Sequence, residues 1–261
     1  MELSLKGKTA LVSGSSQGIG KAIAIELSKL GAVCILLARN TNALEKTLSE
    51  LDASSSQQHA FYSVDFNDMN ALGTLANEIT RKCNIDILIN NTGGPAVGQI
   101  VEAESGAFEN AFRQHLLCNH LLTQAVVSNM KKNQWGRIIN IISTSVRIPL
   151  DNLGVSNTIR AAVASWSKTM SNELAQHGIT VNSLLPGFIS TSRLDAVAES
   201  FAAKAGIPKT EMEERMKQSV PAKRFGLPSE IAAVAAFLSS PAASYVNGVS
   251  IPVDGGRTGT I

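Results

Sequence analysis

The segment Ser13-Gly14-Ser15-Ser16-Gln17-Gly18-Ile19-Gly20 decides the fold of this 261-residue chain. The apolar run Thr9–Val12 before it predicts a β-strand, and the stretch Lys21–Leu30 after it predicts a helix. Glycine permits both a tight turn and the close approach of another group to the backbone. Because the first amides of a helix are unpaired and its amino end is positive, the segment predicts a site for a dinucleotide pyrophosphate.

Four more short apolar runs continue this pattern, and longer stretches of helical period separate them. Such alternation predicts βαβ units with helices on both faces of one parallel sheet. No Pro/Gly/Ser-rich linker and no internal repeat interrupts it, so we expect a single α/β domain over 1–261, of the Rossmann-type doubly wound class. The polar stretch 190–219 departs from the alternation and predicts a helical lid with a break near residues 206–208. The four runs are Val33–Leu37, Ile87–Ile89, Arg137–Ile142 and Ile179–Leu185.

Charge and composition exclude several classes of partner. The chain has 23 basic and 21 acidic residues, a net charge of +2, and no long run of like charge, so neither nucleic acid nor an anionic membrane is an expected partner. No stretch approaches the roughly 18 consecutive apolar residues of a membrane span, and the first residues lack a signal-peptide core. We therefore expect a soluble, cytoplasmic protein. Three widely spaced cysteines, Cys34, Cys83 and Cys118, predict ordinary thiols rather than disulfides or a metal site.

Further glycine- and asparagine-containing motifs follow the later strands in order. Val64-Asp65-Phe66 follows the third strand, Asn90-Asn91-Thr92-Gly93-Gly94 follows the fourth, and Pro186-Gly187-Phe188-Ile189-Ser190-Thr191 follows the sixth. With the GxxxGxG spacing of the first turn and the terminal Val253-Asp254-Gly255-Gly256, this order resembles the short-chain dehydrogenase/reductase family along nearly the whole chain. The resemblance implies a cofactor site formed by Gly14, Ser16, Gln17, Gly18, Ile19, Gly20, Arg39, Asp65, Phe66, Asn91, Thr92, Gly93, Arg160, Pro186, Gly187, Ile189 and Thr191.

The end of the second strand indicates which dinucleotide binds. An acidic residue there would accept hydrogen bonds from the ribose 2′-hydroxyl and repel a 2′-phosphate. Here the strand ends in Leu37-Ala38-Arg39-Asn40, and a guanidinium suits phosphate. NADP(H) is therefore favoured over NAD(H), the alternative being that Arg39 is a solvated surface charge.

The expected catalytic group departs from the family pattern. Ser143, Ser156 and Arg160 have the spacing of the family's Ser, Tyr and Lys, but its YxxxK motif is replaced by Ser156-Asn157-Thr158-Ile159-Arg160. His115 stands where the family carries an Asn that anchors a water relay. Serine does not titrate in the accessible range, whereas Arg160 keeps a positive charge that can hold a ribose or stabilise an anion. Ser143, Ser156, Arg160 and His115 are the candidate catalytic residues.

The source of the substrate proton is left open by the sequence. His115 is one candidate because imidazole titrates near neutral pH, and Ser156 could relay its proton. The alternative is a helix histidine satisfied by a backbone carbonyl. Tyr62 and Tyr245, the only tyrosines, lie in structural segments, and Asp151 and Arg147 have no assigned role.

Three functions remain compatible with these motifs. The first is an NADP(H)-dependent oxidoreductase with an altered proton donor, acting on a small or acyl carbonyl substrate. Segments Gly136–Ile141 and Pro221–Gly226 resemble those of 3-oxoacyl-acyl-carrier-protein reductases. The second is a catalytically degenerate NADP(H)-binding sensor or partner subunit, and the third is a structural role with a relic cofactor site. The resemblance also implies a homodimer or homotetramer formed through helices in 106–130 and 155–176.

Overall fold

A computed structural model describes residues 1–259, and its centre is one seven-stranded parallel sheet. The strand order is β3-β2-β1-β4-β5-β6-β7, and every neighbouring pair is parallel. The predicted doubly wound α/β class is confirmed. The strands are β1 (Thr9–Ser13), β2 (Val33–Ala38), β3 (Ala60–Ser63), β4 (Ile87–Asn90), β5 (Gly136–Ile141), β6 (Ile179–Pro186) and β7 (Ser250–Val253).

Nine α-helices in the described residues cover this sheet. They are α1 (Gly18–Lys29), α2 (Thr41–Ser49), α3 (Met69–Lys82), α4 (Ser105–Phe112), α5 (Cys118–Asn133), α6 (Gly154–Leu174), α7 (Ser192–Ala205), α8 (Lys209–Gln218) and α9 (Pro228–Ser239). A turn of π-helix, Arg113–Leu117, joins α4 to α5. Within residues 1–259, none of these helices combines the length and apolar character needed to cross a membrane.

The strands contribute side chains to two hydrophobic layers, because successive side chains of a strand point to opposite faces of the sheet. On one face Val12 and Ile89 pack with Ile23 of α1 and Ile231 of α9. On the other face the strands pack against α3 and α5, as Leu11 does with its neighbours in that layer. Both faces are therefore covered, which explains why the strands read as continuous apolar runs rather than as an apolar-polar alternation.

The chain reverses its direction across the sheet between β1 and β4. Strands β1 to β3 extend the sheet to one side, and β4 then returns to pair with β1 and starts the other side. In such sheets ligands bind at the carboxyl ends of the strands where the order reverses. The turn after β1 and the residues after β4 and β5 all emerge at this edge.

The predicted helical lid at 190–219 corresponds to two helices, α7 and α8. Helix α7 ends at Gly206, which has a left-handed conformation (φ +66°), and α8 begins after Pro208. The helices pack through a small apolar cluster that contains Leu194 and Met216. Lys209 at the start of α8 donates a hydrogen bond to Glu199 of α7 at 3.2 Å. The break predicted near residues 206–208 is confirmed.

Gly178 closes the segment after α6 and generates a stability prediction. Its φ is +68°, and a Cβ at this position would overlap the backbone oxygen of Gln134. The left-handed conformation costs a residue with a Cβ about 1–2 kcal/mol, and this clash with backbone adds to it. We expect Gly178→Ala to lower the free energy of unfolding by more than about 2 kcal/mol, as measured by chemical denaturation.

Gly206→Ala is the matched control for Gly178→Ala. Gly206 has nearly the same φ, +66°, but no heavy atom lies within 4 Å of the position that an alanine methyl group would occupy. We expect Gly206→Ala to lower the free energy of unfolding only by the conformational cost, about 1–2 kcal/mol. Equal losses for the two variants would show that the contact with Gln134 does not matter.

Candidate active site

A cleft of about 560 Å³ opens at the carboxyl edge of the sheet, where the strand order reverses. It collects nearly all of the site residues that the sequence predicts. Of those residues, only Gly20 and His115 do not line it. The predicted residues that do line it are Gly14, Ser16, Gln17, Gly18, Ile19, Arg39, Asp65, Phe66, Asn91, Thr92, Gly93, Ser143, Ser156, Arg160, Pro186, Gly187, Ile189 and Thr191.

The glycine turn after β1 packs too closely against the end of β4 for any side chain. A Cβ on Gly14 would overlap the Asn91 backbone oxygen, and a Cβ on Gly20 would overlap the Gly14 oxygen. Gly20 therefore shapes the turn from beneath the cleft. Helix α1 starts here without a side-chain cap and without an acidic residue in its first turn. No side chain of this helix therefore occupies its first amides or neutralises its positive end, which faces the cleft.

Ser13 and Asn91 hold the two strand ends together. The Ser13 hydroxyl donates to the backbone oxygen of Ile89 at 3.0 Å and accepts from the Asn91 amide at 2.9 Å. The Asn91 side-chain amide donates to the Gly14 oxygen at 3.1 Å. Asn91 thus holds the glycine turn after β1 through its backbone and side-chain amides. The sequence motif alone did not reveal this role.

Arg39 lies at the β2 end of the cleft, where the adenosine half of a dinucleotide is expected. Its side chain is exposed and makes no ion pair with a carboxylate among residues 1–259. The carboxylate of Asp65, an acidic residue that also lines the cleft, accepts a hydrogen bond from the Asn67 backbone amide at 2.9 Å and does not pair with Arg39. The guanidinium therefore remains available to an anionic group.

Ser143, Ser156 and Arg160 meet at the opposite end of the cleft, as their spacing predicts. Ser143 follows β5 by two residues, and its hydroxyl accepts from the Ser145 amide at 3.1 Å. Ser156 and Arg160 lie one helical turn apart on α6, and each is 9% exposed. Arg160 donates from Nη1 to the Ile141 oxygen at 2.8 Å, while its buried Nε has no partner in the described residues. Burial and the charge of Arg193 lower the pKa of Arg160 to about 10.

His115 lies behind the cleft rather than in it. It is 2% exposed, sits on the π-helical turn, and its Nδ1 is hydrogen-bonded to the Thr92 hydroxyl at 2.5 Å. Its Nε2 is buried without a partner among the described residues. Burial, and then the charges of Arg160 and Arg193, lower the pKa of His115 to about 2. The imidazole is thus neutral at physiological pH, and its partner is a hydroxyl rather than a backbone carbonyl.

Arg193 is a residue of the cleft that sequence reasoning missed. It lies in the first turn of α7, lines the cleft, and donates from Nη2 to the Pro95 oxygen at 2.5 Å. Arg257 also lines the cleft, with its guanidinium 4.1 Å from the centre of the Phe188 ring. The sequence signal for Arg193 was a basic residue two positions after the segment that ends at Thr191.

The remaining polar candidates of the sequence lie outside the cleft. Tyr62 belongs to β3, and Tyr245 is fully exposed. Arg147 donates to the Ser250 oxygen at 3.1 Å, and neither it nor Asp151 lines the cleft. No tyrosine in the described residues therefore substitutes for the one missing from the YxxxK pattern.

Known proteins resemble this chain over its whole length. The family model described as enoyl-(acyl carrier protein) reductase matches residues 14–258. The NADPH-dependent reductase BacG of Bacillus subtilis is 35% identical over 97% of this chain and 99% of its own. The 3-oxoacyl-[acyl-carrier-protein] reductase FabG of Pseudomonas aeruginosa is 34% identical over 97% of this chain and 98% of its own.

Solved structures give the same result. The crystal structure of YwfH, described as an NADPH-dependent reductase involved in bacilysin biosynthesis, superposes with a TM-score of 0.91 at 34% identity, covering 97% of this chain and 99% of its own. L-Sorbose reductase from Gluconobacter frateurii, complexed with NADPH and L-sorbose, superposes with a TM-score of 0.92 at 28% identity, and each chain is fully covered. From its fold, its ordered motifs and these relatives, the chain belongs to the short-chain dehydrogenase/reductase family.

Proposed function

We propose that this chain is an NADP(H)-dependent oxidoreductase that acts on a carbonyl or alcohol substrate and has an altered proton donor. The observation that carries the proposal is the cleft, which joins the glycine turn and Arg39 to Ser143, Ser156 and Arg160. A 3-oxoacyl-type substrate is one option, since the FabG relatives are named for that activity.

The cleft fits a phosphorylated dinucleotide on structural grounds. Gly14 and Gly18 both have positive φ, +60° and +56°, a conformation that residues with a Cβ rarely adopt, so this turn requires glycine. We assign the pyrophosphate to the amides of this turn and the 2′-phosphate to Arg39. BacG is named as NADPH-dependent, and the sorbose reductase structure contains NADPH, which supports this choice. Bound NADPH would supply a hydride to the carbonyl carbon.

The chain's own residues then act on the carbonyl oxygen. Hydride addition breaks the C–O π bond and leaves a negative charge on that oxygen, so positioned donors stabilise the transition state. The hydroxyls of Ser143 and Ser156 can donate to this oxygen, and the Arg160 guanidinium supplies a fixed positive charge beside it. Orientation and charge stabilisation are thus retained on this site.

The proton that converts the alkoxide to an alcohol must come from another source than a tyrosine. Ser156 does not titrate accessibly, and His115 is held neutral with a pKa of about 2. We assign the proton to solvent that enters the cleft, passed on by the Ser156 hydroxyl, which can accept one proton while it donates another. Each turnover then consumes one hydride and one proton from water.

The second candidate is a catalytically degenerate NADP(H)-binding protein, a sensor or a partner subunit. The specific observation in its favour is that the catalytic end of the cleft offers no group, among the described residues, that titrates near neutral pH. Arg160 has a pKa of about 10, and His115 has a pKa of about 2. Cofactor binding would then be retained while acid catalysis is lost.

We further propose that the protein forms a homodimer or homotetramer through the α4–α5 and α6 surfaces. Phe112 and Leu117, at the junction of α4 and α5, are 41% and 39% exposed. Large exposed apolar side chains are typical of an interface. Their burial against a second copy would cover this surface.

Cofactor choice tests the role assigned to Arg39. Arg39→Gln removes the charge assigned to the 2′-phosphate but keeps a polar side chain. We expect the dissociation constant of NADPH to rise by about 10- to 100-fold, the value of one charge-assisted contact, with that of NADH unchanged. Titration of both nucleotides by calorimetry measures this. Arg81→Gln, an exposed arginine of α3 outside the cleft, is the control, and parallel weakening of both nucleotides would contradict the assignment.

The pH profile of the reaction tests the state of His115. Because the pKa of His115 is lowered to about 2, its imidazole stays neutral from pH 8 down to pH 5. We expect kcat for carbonyl reduction to show no inflection near pH 6.5 and to decline only as the pH rises toward about 10, where Arg160 loses its proton. An inflection near pH 6.5 that vanishes in His115→Asn would instead identify His115 as the titrating donor.

Restoration of the family's tyrosine and lysine separates the two candidate functions. The oxidoreductase should turn over slowly as wild type, and Ser156→Tyr combined with Arg160→Lys should raise kcat by about 10²–10⁴, the usual contribution of positioned acid catalysis. Steady-state NADPH oxidation with a panel of carbonyl compounds measures both. Ser143→Ala should abolish the turnover in each background. Absence of any wild-type turnover, with activity gained only by the double variant, would favour the degenerate protein.

A further inference from the structure

The substrate end of the cleft carries two guanidinium groups that no carboxylate neutralises. Neither Arg160 nor Arg193 forms an ion pair with an acidic side chain among residues 1–259. Arg160 is 9% exposed, and buried charges in proteins are normally paired because desolvation is costly. One donor of this buried group, its Nε, has no partner in the described chain. Because Arg160 lines the cleft, an anion that enters the cleft would place an opposite charge beside this guanidinium.

The backbone anchors of the two arginines place them on neighbouring strand ends. Arg160 is bonded to the oxygen of Ile141, the last residue of β5. Arg193 is bonded to the oxygen of Pro95, in the segment that leaves the end of β4. Strands β4 and β5 pair directly, with Asn90 opposite Asn140. The two guanidiniums therefore face the same part of the cleft, and the charge of Arg193 lowers the pKa of Arg160.

The other charged residues of the cleft do not cancel this pair. Asp65 is the one acidic residue among the cleft-lining residues, and it follows β3. Strand β3 lies three strand spacings from β4, roughly 14 Å away. The cleft has two further cations, Arg39 and Arg257. Arg39 follows β2 and is assigned to the cofactor 2′-phosphate, and Asp254 lies close enough to Arg257 to act on its charge. At the end of the cleft formed after β4 and β5, the uncompensated positive charge is thus located at Arg160 and Arg193.

We propose that Arg160 and Arg193 bind an anionic oxygen group of the substrate, a carboxylate, and that Arg193 is the residue that selects for it. The proposal rests on the proposed function because that function makes this end of the cleft the substrate end. A planar guanidinium matches a carboxylate through two parallel hydrogen bonds. The preferred substrates are therefore small oxo acids rather than neutral thioesters of the same size.

The cofactor diphosphate is a second anionic oxygen group that Arg193 could bind instead of a substrate carboxylate. Helix α1 and its glycine turn already offer that diphosphate a site. Arg193 projects from the first turn of α7 and lies close to Gly94, where a Cβ would be 3.1 Å from Nη2. The two anionic groups are distinguished by measuring the cofactor and the carboxylate separately.

The experiment is calorimetric titration of protein saturated with NADP⁺, which needs no turnover. The probes are pyruvate, acetoacetate and benzoylformate, each compared with its methyl ester. At least one acid should bind the wild type ten times or more tightly than its ester. Arg193→Gln should weaken that acid by about 10- to 100-fold, Arg193→Lys should weaken it less, and the ester should be unaffected. Arg215→Gln, on the exposed face of α8, should behave as wild type.

Two results would overturn the proposal. One is equal affinity of every acid and its ester for the wild type. The other is a loss of NADP⁺ affinity in Arg193→Gln as large as the loss of acid affinity, which would assign the guanidinium to the cofactor diphosphate. If NADP⁺ itself does not bind, the proposed function fails, and the same acid and ester titrations without the nucleotide still decide whether Arg193 binds a carboxylate.

Discussion

The close contact between the turn after β1 and the end of β4 is the constraint on which the site depends. Ser13 bonds to both Ile89 and Asn91, and Gly14 and Gly20 leave no room for a Cβ. This contact fixes where the chain leaves β4, because Asn91 is bonded on both its backbone and its side chain. Thr92 follows at once and holds His115, and Pro95 receives Arg193 of the lid. The glycine turn after β1 and the part of the cleft near Arg193 therefore belong to one packed unit.

The charge of Arg160 determines the electrostatics of this part of the cleft, because Arg160 is buried and no carboxylate among residues 1–259 pairs with it. A buried cation is stable only if hydrogen bonds or an opposite charge replace the water it loses. Arg160 has the Ile141 oxygen as such a partner, and its positive charge in turn penalises a proton on His115. The imidazole at this position is therefore a neutral hydrogen-bonding group rather than an acid. The positive charge of Arg160 and the neutral state of His115 are in this way physically connected.

Sequence patterns predicted the elements and the residues that emerge at strand ends, because both depend on local periodicity and on the rule that parallel strands end at one edge. They did not predict contacts between segments that are remote in the chain. Arg193 meets Pro95 across 98 residues, through a lid that folds back onto the loop after β4. His115 faces Thr92 because a π-helical turn alters the helix phase between α4 and α5. Its burial, and hence its lowered pKa, has no signature in the local sequence.

Under the proposed function, typical contributions to the rate explain how carbonyl reduction can proceed without a tyrosine in the cleft. Positioned acid catalysis is worth about 10²–10⁴ in rate, which corresponds to roughly 3–5 kcal/mol. One positioned donor at a developing oxyanion is worth about 2.7–4 kcal/mol, and a guanidinium in a water-poor site acts more strongly than it would in water. Arg160 and the two serine hydroxyls can therefore offset much of the lost term, provided that the proton arrives from water after the hydride. Under the proposed function, such a site stabilises charge rather than transferring a proton from a side chain. The substrates that we propose for it are therefore those whose own negative charge Arg160 and Arg193 also bind.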